Sequence, residues 1–129
     1  MRVAYVDTSC LVAIAARERD AAALARTLSR FDPLVSSNLL EAELKAVLRR
    51  EKISDDPGPL LDAITWIHPD RRLAPEIGRA LEHGHLRGAD LWHVACALYL
   101  AGDHPADLTF ATLDTSQRAV ASSLGFGLP

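Results

Sequence analysis

Cysteine is nearly absent from this sequence: there are two, Cys10 and Cys96, and each sits inside an apolar, helix-like run. That placement makes them buried small hydrophobes. It leaves no disulfide framework and excludes the small secreted domains that need one. No apolar run reaches the ~20 residues that span a bilayer. Met1 leads directly into "RVAYVD", which is too short and too strand-like for a signal peptide. The expectation is a cytoplasmic protein with no membrane contact. Aromatic residues make up only 5%, so the core must be built from Leu, Val, Ile and Ala. Lysine is scarce too, with Lys45 and Lys52 the only two among fourteen basic residues. The net charge is −3, which excludes a basic, non-specific nucleic-acid coat protein. No G-x-S-x-G, P-loop or G-x-G-x-x-G stretch occurs, so serine-hydrolase and nucleotide-fold chemistry lack support.

The 129 residues suit one domain, residues 1–129, and with 49% apolar residues it can bury a real core. "RVAYVD" reads as a buried strand over 2–6, followed by an apolar helix near 9–17. "RDAAALARTLSRF" is an amphipathic helix, and "DPLVSS" a short strand opened by a Pro turn. "NLLEAELKAVLRRE" predicts a strong helix at about 38–51, capped by Asn38 or Ser37. After the break at "SDDPGP" come a helix at 58–64 and a weak strand, "TWIHP". "APEIGRALEHGHL" is a helix with Pro75 in its first turn, and "GADLWHVACALYLAG" a very apolar one. "DLTFATLD" is a strand, "SQRAVASSLGF" a short helix, and "GLP" a tail. Strands alternate with helices throughout, which predicts an α/β fold around a parallel sheet.

Asp-Thr-Ser occurs twice, in "YVDTSCLVA" and "TLDTSQRAVA", each time after an apolar run and before a helix. In an open parallel sheet, ligands bind beyond the carboxyl ends of the strands. Asp7 and Asp114 are therefore expected at one crevice. Asp90 opens the "DLWHVACALYLA" helix, and Glu41 and Glu43 lie early in "NLLEAELKAVLRR", so their helix starts gather at the same edge. Aspartate is also a common helix N-cap. In both DTS copies the following hydroxyls could cap instead, which frees the acid; Asp90 has no such hydroxyl. Glu41 and Glu43 both flank the stripe formed by Leu40, Leu44, Val47 and Leu48, so the pattern does not choose between them. Clustered carboxylates repel, and a hard divalent ion such as Mg²⁺ or Mn²⁺ removes that cost. The chemistry implied is metal-dependent phosphodiester hydrolysis.

These same stretches carry a family resemblance. "YVDTSCLVA", "VSSNLLEAELKAVLRR", "LRGADLWHVACAL" and "FATLDTSQRAVASSLGF" resemble a PIN-domain ribonuclease, the VapC-type toxin of bacterial type II toxin–antitoxin pairs. The resemblance spans nearly the whole chain. It implies a three-layer α/β/α sandwich with a central parallel sheet. It implies Asp7, Glu43, Asp90 and Asp114 as catalytic acids, with Glu43 a better match than Glu41. It also implies that Asp7, Asp90 and Asp114 hold Mg²⁺ or Mn²⁺, that RNA is cut, and that the protein forms a homodimer silenced by a cognate antitoxin. The final strand is expected to be short or absent, since the chain ends at "GFGLP".

Other residues add candidates. His93 falls on one helix face with Asp90, and a structural or orienting role fits it best. Arg87, just before the acidic helix, is a candidate phosphate contact, alongside Thr8 and Ser116. The hydroxyls of Thr8, Ser9, Thr115 and Ser116 could also orient a metal-bound acid. His83, His85 and Cys96 match a zinc site weakly. Arg49-Arg50 and Arg71-Arg72 read as solvated faces, and Trp92 as core. Two alternatives compete with the nuclease: a non-catalytic protein-binding module on the same fold, and a receiver-type phosphoacceptor domain. The latter should carry paired early acids and a lysine near Asp114, and neither is present.

Overall fold

The computed structural model describes residues 2–129. Four short strands, β1 (Val3–Val6), β2 (Leu34–Ser37), β3 (Ile64–Ile67) and β4 (Leu108–Ala111), form one sheet in the order β3-β2-β1-β4. All neighbours are parallel. The helices are α1 (Thr8–Ala15), α2 (Ala21–Leu28), α3 (Leu39–Arg50), α4 (Gly58–Asp62), α5 (Ala74–Leu81), α6 (Gly88–Ala101) and α7 (Thr115–Leu124). A parallel sheet must be covered on both faces, and two apolar clusters show how. One joins Tyr5 and Phe110 to residues of α5, α6 and α7; the other joins Val6 and Ala111 to residues of α1 to α4. Side chains alternate along a strand, so adjacent residues of β1 and of β4 feed opposite layers. The result is the expected three-layer α/β/α sandwich.

Register fixes the site. β1 is central, and Tyr5 of β1 pairs with Phe110 of β4. Their rings stack 5.4 Å apart at an interplanar angle of 4°. The pair locks the two strands that precede the two Asp-Thr-Ser copies, so their carboxyl ends emerge side by side.

Three expected boundaries shift. The helix expected over 58–64 ends at Asp62, because Ile64 is already paired with Leu34 in the sheet. β4 ends at Ala111, so Asp114 stands three residues beyond the strand, at the start of α7. The terminal "GLP" is not a bare tail. Gly127 bridges Thr109 in parallel, donating its N–H to the Leu108 carbonyl and accepting from the Phe110 N–H. A Cβ at Gly127 would lie 3.1 Å from the Thr109 hydroxyl, so the bare backbone suits this close approach. No helix among the described residues is long and apolar enough to cross a membrane.

Candidate active site

A cleft of about 450 Å³ opens at the carboxyl edge of the sheet. Asp7, Glu18, Glu43, Asp90 and Asp114 all line it, and among the described residues no lysine or arginine does. Four separate segments deliver the four expected acids, and the turn after α1 adds Glu18. The chain reverses there because Arg17 takes a positive φ of 54°, and the Glu18 N–H closes onto the Ala13 carbonyl.

Asp7 is almost entirely buried, at 4% exposure. It is the N-cap of α1: its Oδ2 accepts from the Ser9 N–H at 3.2 Å. That cap contributes about 1 kcal/mol to the helix. The hydroxyl of Thr112 also reaches Oδ2 at 3.1 Å. Gln117 donates from Nε2 to Oδ1 at 3.3 Å. Asp114 is the N-cap of α7, its Oδ1 accepting from the Gln117 N–H at 2.7 Å. Both strand-end aspartates therefore cap their helices, contrary to the expectation that neighbouring hydroxyls would do so. Thr8 and Thr115 instead open the helices as first residues, past the cap position. Capping uses one lone pair of each carboxylate, and Asp114 Oδ2 takes no hydrogen bond among the described residues.

Asp90 behaves in the opposite way. The N-cap of α6 is Arg87, and Asp90 sits in the first turn without a capping bond. Burial, then the charges of Asp7, Asp114 and Glu43, raise its pKa; His93 pulls it back only partly. The carboxylate is thus held in a field of like charge.

The structure separates the two glutamates. Glu41 faces solvent and pairs with Lys45 at 2.6 Å, one helical turn along α3. Glu43 turns into the cleft. Its Oε1 accepts from the Thr8 hydroxyl at 2.7 Å and lies 2.7 Å from His93 Nε2. Burial alone would raise the Glu43 pKa, but the hydrogen bonds from His93 and Thr8 outweigh it and lower it. His93 is fully buried, and its Nδ1 meets the Tyr5 hydroxyl at 2.7 Å.

A smaller hollow of about 240 Å³ shares Asp90 and Asp114 with the cleft and adds His85, Arg87 and Ser116. Arg87 and Ser116 are exposed there. Thr8 lines the main cleft but is largely buried, with its hydroxyl committed to Glu43.

A family model described as PIN domain matches residues 4–122. The chain belongs to the PIN domain family. Ribonuclease VapC46 of Mycobacterium tuberculosis (strain ATCC 25618 / H37Rv) is 32% identical to it over 130 residues, covering 99% of this chain and 97% of that protein. In this PIN domain the four expected acids, Asp7, Glu43, Asp90 and Asp114, do meet in one cleft, and Glu41 does not join them.

The donor set fits a hard divalent ion in kind, being all carboxylate oxygen. It also fits in need, since the like charges around Asp90 call for a cation. The side chains are not drawn into a finished ligand shell: among the described residues no three His, Cys, Asp or Glu groups converge that closely. The weak zinc candidates disperse, with Cys96 fully buried and His83 bonded to Ser123. Arg71 pairs with Glu76 at 2.6 Å on the surface. Trp92 is half-buried rather than core, and lines a groove with Leu73 and Ile77.

Sequence reasoning passed over Gln117, Thr112 and Glu18. Gln117 carried a signal: with Val120, Ala121 and Leu124 it occupies the buried stripe of α7, where a polar side chain must find partners. Its Nε2 donates to Asp7 and to the Asp90 carbonyl at 3.1 Å, and its Oε1 accepts from Thr112 at 2.6 Å. One residue thus ties together the three segments that carry the aspartates. Glu18, an exposed charge in a turn, gave no such signal.

Proposed function

We propose that this PIN domain is a divalent-cation-dependent endoribonuclease, the toxin of a toxin–antitoxin pair. The observation that carries this is the cleft itself, with five carboxylates from separate segments and no basic residue in its lining. Such a cleft repels RNA phosphates unless a cation enters with them. The ribonuclease relative supports the substrate class. Asp7, Asp90 and Asp114 would hold Mg²⁺ or Mn²⁺. Bound there, such an ion polarises a phosphoryl oxygen and lowers the pKa of an attacking water. Asp7 and Asp114 are pre-positioned by their capping bonds, so little ordering is needed on their side. Glu43, ionised and with Oε2 taking no hydrogen bond among the described residues, is placed to accept a proton from the attacking water. Arg87 and Ser116 offer a guanidinium and a hydroxyl to a neighbouring phosphate from the adjoining hollow.

The rest of the assignment rests on the family resemblance of the motifs. It comprises a cytoplasmic protein working as one domain, a homodimer and a cognate antitoxin that silences the cleft. The decisive experiment measures cleavage of RNA with Mn²⁺, with and without chelator, for the parent protein and for Asp7→Asn and Asp90→Asn. The parent cuts only with the ion, and both variants lose cleavage while circular dichroism shows the fold retained. Equal cleavage by parent and variants, or cleavage untouched by chelator, defeats the proposal.

A further inference from the structure

A buried polar chain runs from the end of β2 through the core to the wall of the cleft. The Ser37 N–H donates to the Tyr5 hydroxyl oxygen at 3.2 Å. That oxygen lies 2.7 Å from His93 Nδ1. On the far side of the ring, Nε2 stands 2.7 Å from Glu43 Oε1, 3.2 Å from the Thr8 hydroxyl and 3.8 Å from Asp7 Oδ1. The order of donors follows from the chemistry. An ionised carboxylate oxygen at 2.7 Å requires a proton on Nε2. The Tyr5 oxygen already accepts from backbone, and its own hydrogen is free to go to Nδ1.

We infer that His93, oriented by Tyr5, is a positioning residue that holds Glu43 by Oε1 and leaves Oε2 as the one oxygen it offers to the cleft. The role of Glu43 in cleavage rests on the nuclease proposal; the hydrogen-bond chain does not. Each link is anchored in a rigid element: Tyr5 in the central strand and stacked on Phe110, Ser37 at the end of β2, His93 within α6. The β1–β4 scaffold thereby sets the angle of a side chain on α3, across the sheet edge. Without the chain, Glu43 would be a helix-surface glutamate with no partner to fix its rotamer toward the cleft.

The test pairs spectroscopy with kinetics. Long-range ¹H–¹⁵N correlation of the labelled protein at neutral pH, with the His93 signal assigned by its loss in His93→Gln, reads the tautomer directly. The Nε2–H form is expected. Tyr5→Phe keeps the stacked ring and removes the hydroxyl that anchors Nδ1. Its kcat for RNA should fall about tenfold with KM little changed, the size of one neutral hydrogen bond. His93→Gln can still present an N–H near the position of Nε2, so it should retain about tenfold more kcat than His93→Leu. If His93→Leu does not fold, Tyr5→Phe and His93→Gln carry the comparison. An Nδ1–H tautomer in the parent, which leaves no proton on Nε2 to hold Glu43, overturns the inference. So do Tyr5→Phe and His93→Gln proteins that melt earlier yet cut at the parent's kcat per folded molecule. A parent that cuts no RNA sinks the nuclease proposal instead, and the hydrogen-bond chain is then decided by the spectra alone.

Discussion

Replacing Gln117 by leucine isolates the residue that joins the acid-bearing segments. The side chain is fully buried, and leucine has nearly its volume without the amide. The backbone bond from residue 117 to Asp114 Oδ1 survives, because it uses the main-chain N–H. Three side-chain contacts are lost. The Thr112 hydroxyl costs little, since its hydrogen can turn fully to Asp7 Oδ2, which it already reaches at 3.1 Å. The Asp90 carbonyl loses a second donor at 3.1 Å, worth about 0.5–1.5 kcal/mol. Among the described residues, Asp7 Oδ1 loses its only direct donor within 3.5 Å, and a hydrogen bond to a charged group is worth about 1.5–3 kcal/mol. The sum is about 2–4.5 kcal/mol, less whatever the new apolar contacts return. For a chain of this length that lowers the melting midpoint by roughly 6–18 °C.

The assay is thermal unfolding followed by circular dichroism, with urea melts to confirm an unchanged m-value. If Gln117→Leu melts within about 2 °C of the parent, the amide bridges carry no net stability and the reasoning is wrong. Metal binding adds a second readout. Loosening Asp7 and Asp90 relative to each other should weaken Mn²⁺ binding by about tenfold, the cost of one misplaced ligand contact. Mn²⁺ affinity equal to the parent's would show that Gln117 supports the fold and not the ion site.

Other consequences follow from the electrostatics. In chelator at neutral pH, Asp90→Asn should raise the melting midpoint above the parent's. The Asp90 pKa is raised in the folded protein, so its charged form opposes folding, and the gain should vanish once pH falls below the ordinary aspartate value of about 3.9; a variant no more stable than the parent at pH 7 refutes this. Saturating Mn²⁺ should reverse that ranking, since an ion at a hundred times its dissociation constant adds about 2.7 kcal/mol to the protein that binds it. Differential scanning fluorimetry across a Mn²⁺ series would show the crossing, and its absence would count against a shared ion. The Glu43 pKa is lowered, so the advantage of parent over Glu43→Gln in urea should be full above about pH 4.3 and shrink as pH falls through the lowered value; an advantage that grows in acid contradicts the assigned bonds. Glu41→Ala should leave cleavage within about twofold of the parent and cost under about 1 kcal/mol, because its pair with Lys45 is exposed, whereas Glu43→Gln should remove cleavage; the reverse result would reassign the second acid.

The layer architecture was legible because strand and helix periodicities alternate cleanly, and the acids were legible because carboxyl ends of parallel strands share one edge. What stayed hidden was orientation within the site. Glu41 and Glu43 both flank the same apolar stripe, and only the three-dimensional position of His93 and Thr8 selects Glu43. Capping was misjudged for a related reason. A sequence shows which residues could cap, but the cap belongs to whichever side chain precedes the first helical turn, and in both Asp-Thr-Ser copies the helix starts at the threonine. Gln117 was missed because reading for charge passes over a neutral side chain. Its place on the buried stripe of α7 was the available clue.

The repeated Asp-Thr-Ser has a single physical cause in both places. A helix that starts just past the carboxyl edge of the sheet, directly after β1 and three residues after β4, needs an N-cap, and aspartate meets that need while keeping lone pairs for the cleft. Asp7 and Asp114 are fixed by the helices they cap, and Asp7 is fixed again by Gln117 and Thr112. Asp90 has no capping bond and carries the raised pKa. Two rigid carboxylates beside one unrestrained carboxylate form a site whose frame is stabilised by helix capping and whose remaining repulsion falls on a single adjustable residue. In the proposed ion site, Asp90 is the aspartate with no capping bond to break as an ion enters. That explains how the acids can share a cleft without standing in ligand positions beforehand. It also makes Asp90 the residue at which stability and cation binding should trade against each other most directly.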